Sequence, residues 1–385
     1  MIPYGQQSIS AEDEAAVLHV LRSGFLTQGP AGPLFESAVA EYCAAPHAVA
    51  FNSATSALHV ACLALELGPG DLLWTTPITF VASANCARYC GADVDFVDID
   101  SATCNVSAAA LEAKLQTAQQ LGRLPKVLVA VHLRGVPCAM DEVGRLAQEY
   151  GFAVIEDASH AIGARYLGSP VGSCRYSDIT VFSFHAVKVI TAGEGGMATT
   201  RDRELARRMR LLRSHGVSRD PEEMTCEPKG EWYYEQLMLG FNYRMTDIQA
   251  ALGLSQLQRI DSFLSRRKDL ADRYETLLAP LPVTVPAYQS GADPGLHLFV
   301  IRLDEDVVGR DRNTVFSGMR QRGIGVNLHY IPVYRQPYYR QFGYDYADFP
   351  QSERYYRDAM TIPLHPAMSE ADQDTVIAAL TGSLP

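Results

Sequence analysis

The sequence predicts an α/β protein with a large, mainly parallel sheet of seven strands, covered by helices on both faces, and a smaller C-terminal α/β domain. Three observations carry this. The chain has 385 residues, too many for one ordinary core and well suited to two unequal domains. Its hydrophobic fraction is 47%, typical of a globular protein, and no apolar run reaches the ~20 residues of a membrane helix. Through the first two-thirds, short apolar runs rich in β-formers alternate with helical patterns, which is how parallel strands buried on both faces read. The boundary is placed so that residues 1–245 form the large domain, with the N-terminal segment, and residues 246–385 the small one.

Taken in order, the predicted strands are 47–52, 72–75, 94–98, 126–132, 153–156, 180–184 and 197–200. Between them lie helical patterns at 56–67, 107–115, 140–150 and 202–212. Residues 245–278 read as one long helix or a broken pair leading into the C-terminal domain, where a strand at 297–303, a helix at 312–322 and a last helix after Pro366 follow. The Pro- and Tyr-rich stretch 330–346 reads as an irregular loop, and loops of that length in compact domains are usually functional.

Composition excludes several classes. A formal net charge of -11 opposes nucleic-acid binding, which needs a basic footprint. Residues 1–7 lack the basic and apolar regions of a signal peptide, so a cytoplasmic location is expected. None of the 8 cysteines shows the C-x-x-C spacing of a zinc or redox site; Cys86 and Cys90 share one helix face, and free thiols without a metal are expected. The turn Gly193-Glu194-Gly195-Gly196 lacks the third glycine of a dinucleotide fingerprint, and no phosphate-loop motif occurs.

Three segments carry chemistry. In Asn52-Ser53-Ala54-Thr55-Ser56-Ala57-Leu58-His59 a strand ends and a helix begins among small hydroxyl residues, so free N–H groups and the helix dipole make an anion site. Read alone, it is also a plain N-cap. In Val154-Ile155-Glu156-Asp157-Ala158-Ser159-His160 a buried strand ends in two carboxylates, where open α/β sheets place ligands. An acid there can pair with a cationic ring nitrogen; the alternative is a helix cap with a solvated Glu156. In Ser183-Phe184-His185-Ala186-Val187-Lys188, followed by the glycine-rich turn, a single lysine follows a strand. Its amine can form a Schiff base with an aldehyde, or it is a surface lysine beside a hairpin. Asp157 precedes Lys188 by 31 residues, and both lie beside strand ends. An aldehyde cofactor with a protonated pyridine and a phosphate needs one partner for each group; Lys188, Asp157 and residues 53–56 supply that set.

With these motifs the sequence resembles the DegT/DnrJ/StrS family of sugar-nucleotide aminotransferases, which have the aspartate-aminotransferase-like (type I) fold. The resemblance runs nearly end to end. It includes Ser23-Gly24-Phe25-Leu26-Thr27-Gln28-Gly29-Pro30, Glu156-Asp157-Ala158-Ser159-His160, the Lys188 segment and Gly240-Phe241-Asn242-Tyr243-Arg244-Met245-Thr246-Asp247. Residues 52–59 and Gly230-Glu231-Trp232-Tyr233-Tyr234-Glu235 are similar to the subgroup that aminates C4 of a UDP-linked 4-keto-6-deoxy-N-acetylhexosamine in pseudaminic acid biosynthesis.

The resemblance implies pyridoxal 5'-phosphate as cofactor, glutamate as amino donor with 2-oxoglutarate as its product, and a homodimer with shared active sites. It implies that Lys188 is the Schiff-base lysine, Asp157 the partner of the pyridine nitrogen and Phe80 the stacking ring. Ala54, Thr55 and Ser183 match phosphate contacts, His160 a residue near the phenolic oxygen, and Asn242 a phosphate contact from the other subunit. Arg244, His329, Tyr330 and Trp232 fall in segments placed near substrate. Ala186 departs from the proline common in relatives, a change of local stiffness. Lysine at 188 sets the chain apart from a dehydratase branch with histidine there. Loop aromatics at 232–234, 330, 334, 338 and 339 read either as a wall for uracil and sugar or as packing. The competing readings are the same chemistry on a dTDP-linked keto-sugar, a cofactor-binding regulator and a nucleotide-dependent oxidoreductase. The regulator would need a DNA-binding domain or a lost lysine, and the oxidoreductase a glycine fingerprint.

Overall fold

The computed structural model describes residues 1–385. One sheet holds seven strands: β1 (His47–Phe51), β2 (Leu72–Thr75), β3 (Asp93–Phe96), β4 (Val127–Val131), β5 (Ala153–Asp157), β6 (Ile179–Ser183) and β7 (Gly196–Thr200). Each lies within two residues of its predicted bounds, the usual scatter at element ends. Their spatial order is β1-β7-β6-β5-β4-β2-β3. The run from β6 to β3 is parallel, whereas β7 is antiparallel to both β1 and β6. Its register sets Gly196 between Phe51 on one side and Ser183 on the other.

Helices follow the strands because each parallel connection must cross back over the sheet. They are α1 (Ala11–Leu21), α2 (Ala31–Tyr42), α3 (Ala54–Ala64), α4 (Ala82–Tyr89), α5 (Ala108–Gln120), α6 (Met140–Tyr150) and α7 (Arg203–Arg213). One sheet face packs Val49, Phe51, Val129 and Ile155 against Leu58, Ala61 and Met209. The other packs Phe182 and Met197 against Phe35, Val39 and Ala250, and Trp74 and Leu128 against Leu111 and Leu146. Burying each large side chain contributes about 1.5–3 kcal/mol.

The 245–278 pattern is a broken pair, α8 (Asp247–Leu257) and α9 (Ile260–Leu278), interrupted at Arg259, whose φ of -110° and ψ of 7° leave the helical region. A separate cluster packs Leu270 and Tyr274 of α9 against β8 (Phe299–Arg302), β9 (Ala359–Ile362), α10 (Arg312–Gln321) and α11 (Glu370–Thr381). No helix is long and apolar enough to cross a membrane.

Helices α1, α2 and α4 do not stand out in the sequence. In α1 a Ser10–Asp13 capping box starts the helix, but only Asp13 and Val20 are buried, so no apolar stripe marks it. In α4 the residues are small, and their burial reflects tight packing rather than hydrophobic pattern. The 330–346 stretch is not wholly irregular: it holds two single turns, Val333–Arg335 and Pro337–Arg340.

Candidate active site

The carboxyl ends of β4, β5 and β6 open onto a cavity of about 570 Å³. Its wall is completed by the start of α3, the segment from Thr79 to Ala82, the β6–β7 loop and residues Asn327, Leu328, His329 and Tyr330.

Lys188 enters from the β6–β7 loop. That loop is closed by Phe184 N donating to Gly195 O (2.9 Å) and Ala192 N to Phe184 O (2.9 Å), with a left-handed turn at Gly193 (φ 77°). Lys188 N donates to His185 O (3.0 Å), and the Lys188 side chain lines the cavity. Burial strips water from the amine and lowers its pKa to about 8, against the opposing pull of Asp157. The lysine is thus a cavity amine and not a surface residue beside a hairpin.

Asp157 ends β5 and is 5% exposed. Its Oδ2 accepts from Ser83 Oγ (2.6 Å) and its Oδ1 from Ser159 N (3.1 Å). Ser83 is itself held by Thr79 Oγ1 (2.7 Å). Strand alternation sends Glu156 the other way. Glu156 is not solvated: it is 5% exposed, pairs with His132 Nε2 (2.7 Å) and accepts from Thr180 Oγ1 (3.0 Å) and Ser177 Oγ. Burial alone would lower the His132 pKa, but Cys138 and the Glu156 carboxylate hold it up to about 10. The two carboxylates therefore divide: Asp157 faces the cavity, and Glu156 braces the sheet beneath it.

Helix α3 begins where β1 ends. Ser53 caps it, its Oγ accepting from Ser56 N (3.1 Å). The next amides, Ala54 and Thr55, are the first two of the helix and have no intrahelical acceptor. A Cβ built on Gly196 would lie 2.5 Å from Ala54 N and from the Ser53 carbonyl, so only glycine lets β7 approach this turn. Ser183, opposite Gly196, also lines the cavity.

Phe80 is 57% exposed, its ring centroid 6.0 Å from that of Tyr330. His160 Nε2 is 3.2 Å from Tyr330 Oη, and its ring lies 4.7 Å from that of His297. His329 Nδ1 is 2.8 Å from Thr361 Oγ1. Burial, reinforced by the Lys188 charge, holds all three imidazoles below their ordinary pKa; His329 falls to about 4.

The fold thus gathers Ala54, Thr55, Phe80, Asp157, His160, Ser183, Lys188, His329 and Tyr330 into one cavity. It does not bring Asn242, Arg244 or Trp232 to the same chain's cavity. Asn242 bridges to Ser214, Arg244 Nη1 donates to Ser214 Oγ (2.9 Å), and Trp232 is 69% exposed beside Tyr233. Among the loop aromatics, Tyr334 and Tyr339 are packing residues, buried beside Phe96 at centroid distances of 5.9 and 6.3 Å. Sequence reasoning missed Tyr4, Ser83, His297 and Asn327. For Ser83 there was a signal: it lies one helical turn beyond Thr79, next to Phe80. Tyr4 stands in Ile2-Pro3-Tyr4-Gly5, where the family resemblance begins, but no site role attached to it, and His297 carries no signal, because a distant segment brings it in.

Comparison with known proteins places this geometry. The spore coat polysaccharide biosynthesis protein SpsC of Bacillus subtilis (strain 168) is 40% identical over 382 residues, 98% of this chain and 96% of that protein. Helicobacter pylori PseC, an aminotransferase involved in the biosynthesis of pseudoaminic acid, superposes with a TM-score of 0.90 at 30% identity, covering 99% of this chain and 98% of that one. The Streptococcus pneumoniae protein Spr1654 in its PLP form gives 0.88 at 30% identity, covering 99% and 98%. The model of one family matches residues 7–381, and the chain belongs to that family, the DegT/DnrJ/EryC1/StrS aminotransferases.

Proposed function

We propose that the protein is a pyridoxal-phosphate-dependent aminotransferase that moves an amino group from glutamate to C4 of a UDP-linked 4-keto-6-deoxy-N-acetylhexosamine, as in pseudaminic acid biosynthesis. The observation that carries the chemistry is the convergence of Lys188, Asp157 and the free α3 amides on one cavity. The residues fit the cofactor: an anion cradle that a Cβ at 196 would fill, a half-buried amine lining the cavity and a buried carboxylate.

When bound, pyridoxal phosphate supplies an aldehyde to take the amino group and a ring that absorbs negative charge from the donor Cα. Lys188, with its pKa brought down to about 8, reaches the neutral form far more readily than a free lysine and holds a minor neutral fraction at pH 7, which suits it to act as nucleophile and as carrier of the proton leaving the donor Cα. Asp157 holds a proton on the ring nitrogen, and Ser83 and Ser159 N keep its carboxylate aimed. The Ala54 and Thr55 amides, with Ser183, would hold the phosphate. Phe80 would stack on the ring, and His160, held by Tyr330, would lie near the phenolic oxygen. His329 and Tyr330 border the substrate space. Asn242, Arg244 and Trp232 serve a second subunit's cavity in a homodimer with shared sites.

The pseudaminic reading draws support from the PseC likeness and from residues 52–59 and 230–235. The higher identity to SpsC favours a second reading, the same chemistry on another nucleotide keto-sugar bound for a surface polysaccharide, dTDP-linked sugars included. The test is to load the protein with pyridoxal phosphate, convert it with glutamate, remove the excess and add candidate keto-sugars while recording the visible absorption band. Return of the band with UDP-4-keto-6-deoxy-L-arabino-HexNAc and not with dTDP sugars is expected. Return only with a dTDP sugar overturns the substrate, and no visible band at any stage overturns the cofactor.

A further inference from the structure

Arg267 is buried without an acid. It lies on α9, is 1% exposed, and its Nη1 donates to three carbonyls: Leu296 (3.3 Å), His297 (3.2 Å) and Leu364 (3.0 Å). Its Nε has no partner. A guanidinium removed from water without a carboxylate is costly to bury, so it is poor evidence for stability and better evidence for a positioning role.

What it positions is one side of the cavity. His297 lines that cavity, yet its side chain makes no hydrogen bond, and its Nδ1 is sealed without a partner. The backbone fixes it instead. His297 N donates to Arg134 O (2.9 Å), and Gly295 N donates to Gly135 O (2.8 Å). Arg267 ties the same segment from the other side. The fit is close, since a Cβ on Gly135 would lie 2.6 Å from His160 O and 2.8 Å from Leu296 N. So clamped, the His297 ring sits 4.7 Å from the His160 ring, and His160 Nε2 meets Tyr330 Oη at 3.2 Å.

We propose that Arg267 is a positioning residue for the transamination site: by gripping the carbonyls of Leu296, His297 and Leu364 it holds the His297 ring against His160 and thereby fixes the His160–Tyr330 contact in the cavity wall. The inference rests on the reading of this cavity as the cofactor site. The charged and titratable groups that face His297 are Lys188, His160, His329 and Arg267 itself. Releasing the ring loosens the His160–Tyr330 contact in the same cavity wall that Lys188 lines, so the surroundings of the Lys188 amine change with it.

The test uses the full-length protein loaded with pyridoxal phosphate. Arg267→Met keeps the length and apolar stem, and His297→Ala removes the ring that packs on His160. Two quantities are read: the pH midpoint of the visible absorption band, and kcat and KM for the keto-sugar. Both variants are expected to load cofactor, to move the midpoint by ~0.5 unit or more, and to lower kcat about tenfold with KM little changed. Arg267→Lys, which restores a cation and donors, recovers most of the midpoint. If Arg267→Met does not fold, His297→Ala decides alone. A folded Arg267→Met protein, or a His297→Ala protein, with the parental midpoint and kcat overturns the proposal. A parent with no visible band overturns the cofactor reading instead, so the two failures are distinguishable.

Discussion

Gly196→Ala tests whether the turn before α3 is the phosphate cradle. The added Cβ would sit 2.5 Å from Ala54 N, Ser53 C and Ser53 O. Ordinary contact begins at 3.4 Å, so the peptide between Ser53 and Ala54 has to retreat by about 0.9 Å. Retreat of β7 is opposed by its ladders to β1 and β6. A hydrogen bond of ~2.9 Å lengthened by that much is lost. An amide bonded to a phosphate contributes ~1.5–3 kcal/mol, so losing one weakens cofactor binding roughly 10- to 100-fold. Overpacking adds a cost of ~1–3 kcal/mol to folding itself. Titration of the cofactor-free variant with pyridoxal phosphate, followed by absorbance and paired with a melting curve, measures both. Parental affinity together with a parental Tm would refute the cradle.

Other outcomes follow from the same geometry. Lys188→Ala abolishes transamination, and a remaining rate above background in a coupled assay removes it from the mechanism. Asp157→Ala slows donor proton abstraction by ~100-fold or more, whereas Ser83→Ala, which loses one aiming hydrogen bond, costs ~1 kcal/mol or severalfold; stopped-flow spectra with glutamate separate them, and equal effects contradict the assignment. Between about 8 and 10.5 the folded protein has released the Lys188 proton while the unfolded chain still holds it, so this group makes stability rise with pH there and imposes its full cost below 8. Lys188→Met therefore stabilises the cofactor-free protein by roughly 1–3 kcal/mol at pH 7, with the gain shrinking toward pH 10.5; a pH-independent gain in denaturant melts refutes it. His132→Gln strands Glu156 and costs ~3–5 kcal/mol, read as a large fall in Tm; a parental Tm would mean the pair is not charged.

What was legible in the sequence depended on how local its cause is. The seven strands are apolar runs whose burial on both faces is written in the residues themselves, and Lys188, Asp157 and Thr55 were found because each stands at a strand end. The helices α1, α2 and α4 were hidden because their buried faces are narrow or built from small residues. Glu156 looked like Asp157's equal; only the pleat, together with His132 arriving from β4, separates the two. His297 and Tyr4 reach the cavity through backbone ties to Arg134 and Leu364, respectively, over distances no spacing encodes. Trp232 and Arg244 carry motif resemblance but lie off the cavity of their own chain.

The antiparallel β7 has a kinetic consequence. Strand β1 pairs with β7 alone, His47 facing Thr200, so about 150 residues must be made before the edge strand finds its neighbour. Closing a loop of that length before its contacts form is slow, and such pairing comes late. During synthesis the turn at Ser53 and Ala54 therefore waits, its strand unpaired, until Gly196 has emerged. A nascent chain arrested before that glycine exposes an apolar edge at Ala48, Val49 and Ala50, the kind of surface that chaperones cover and aggregates recruit.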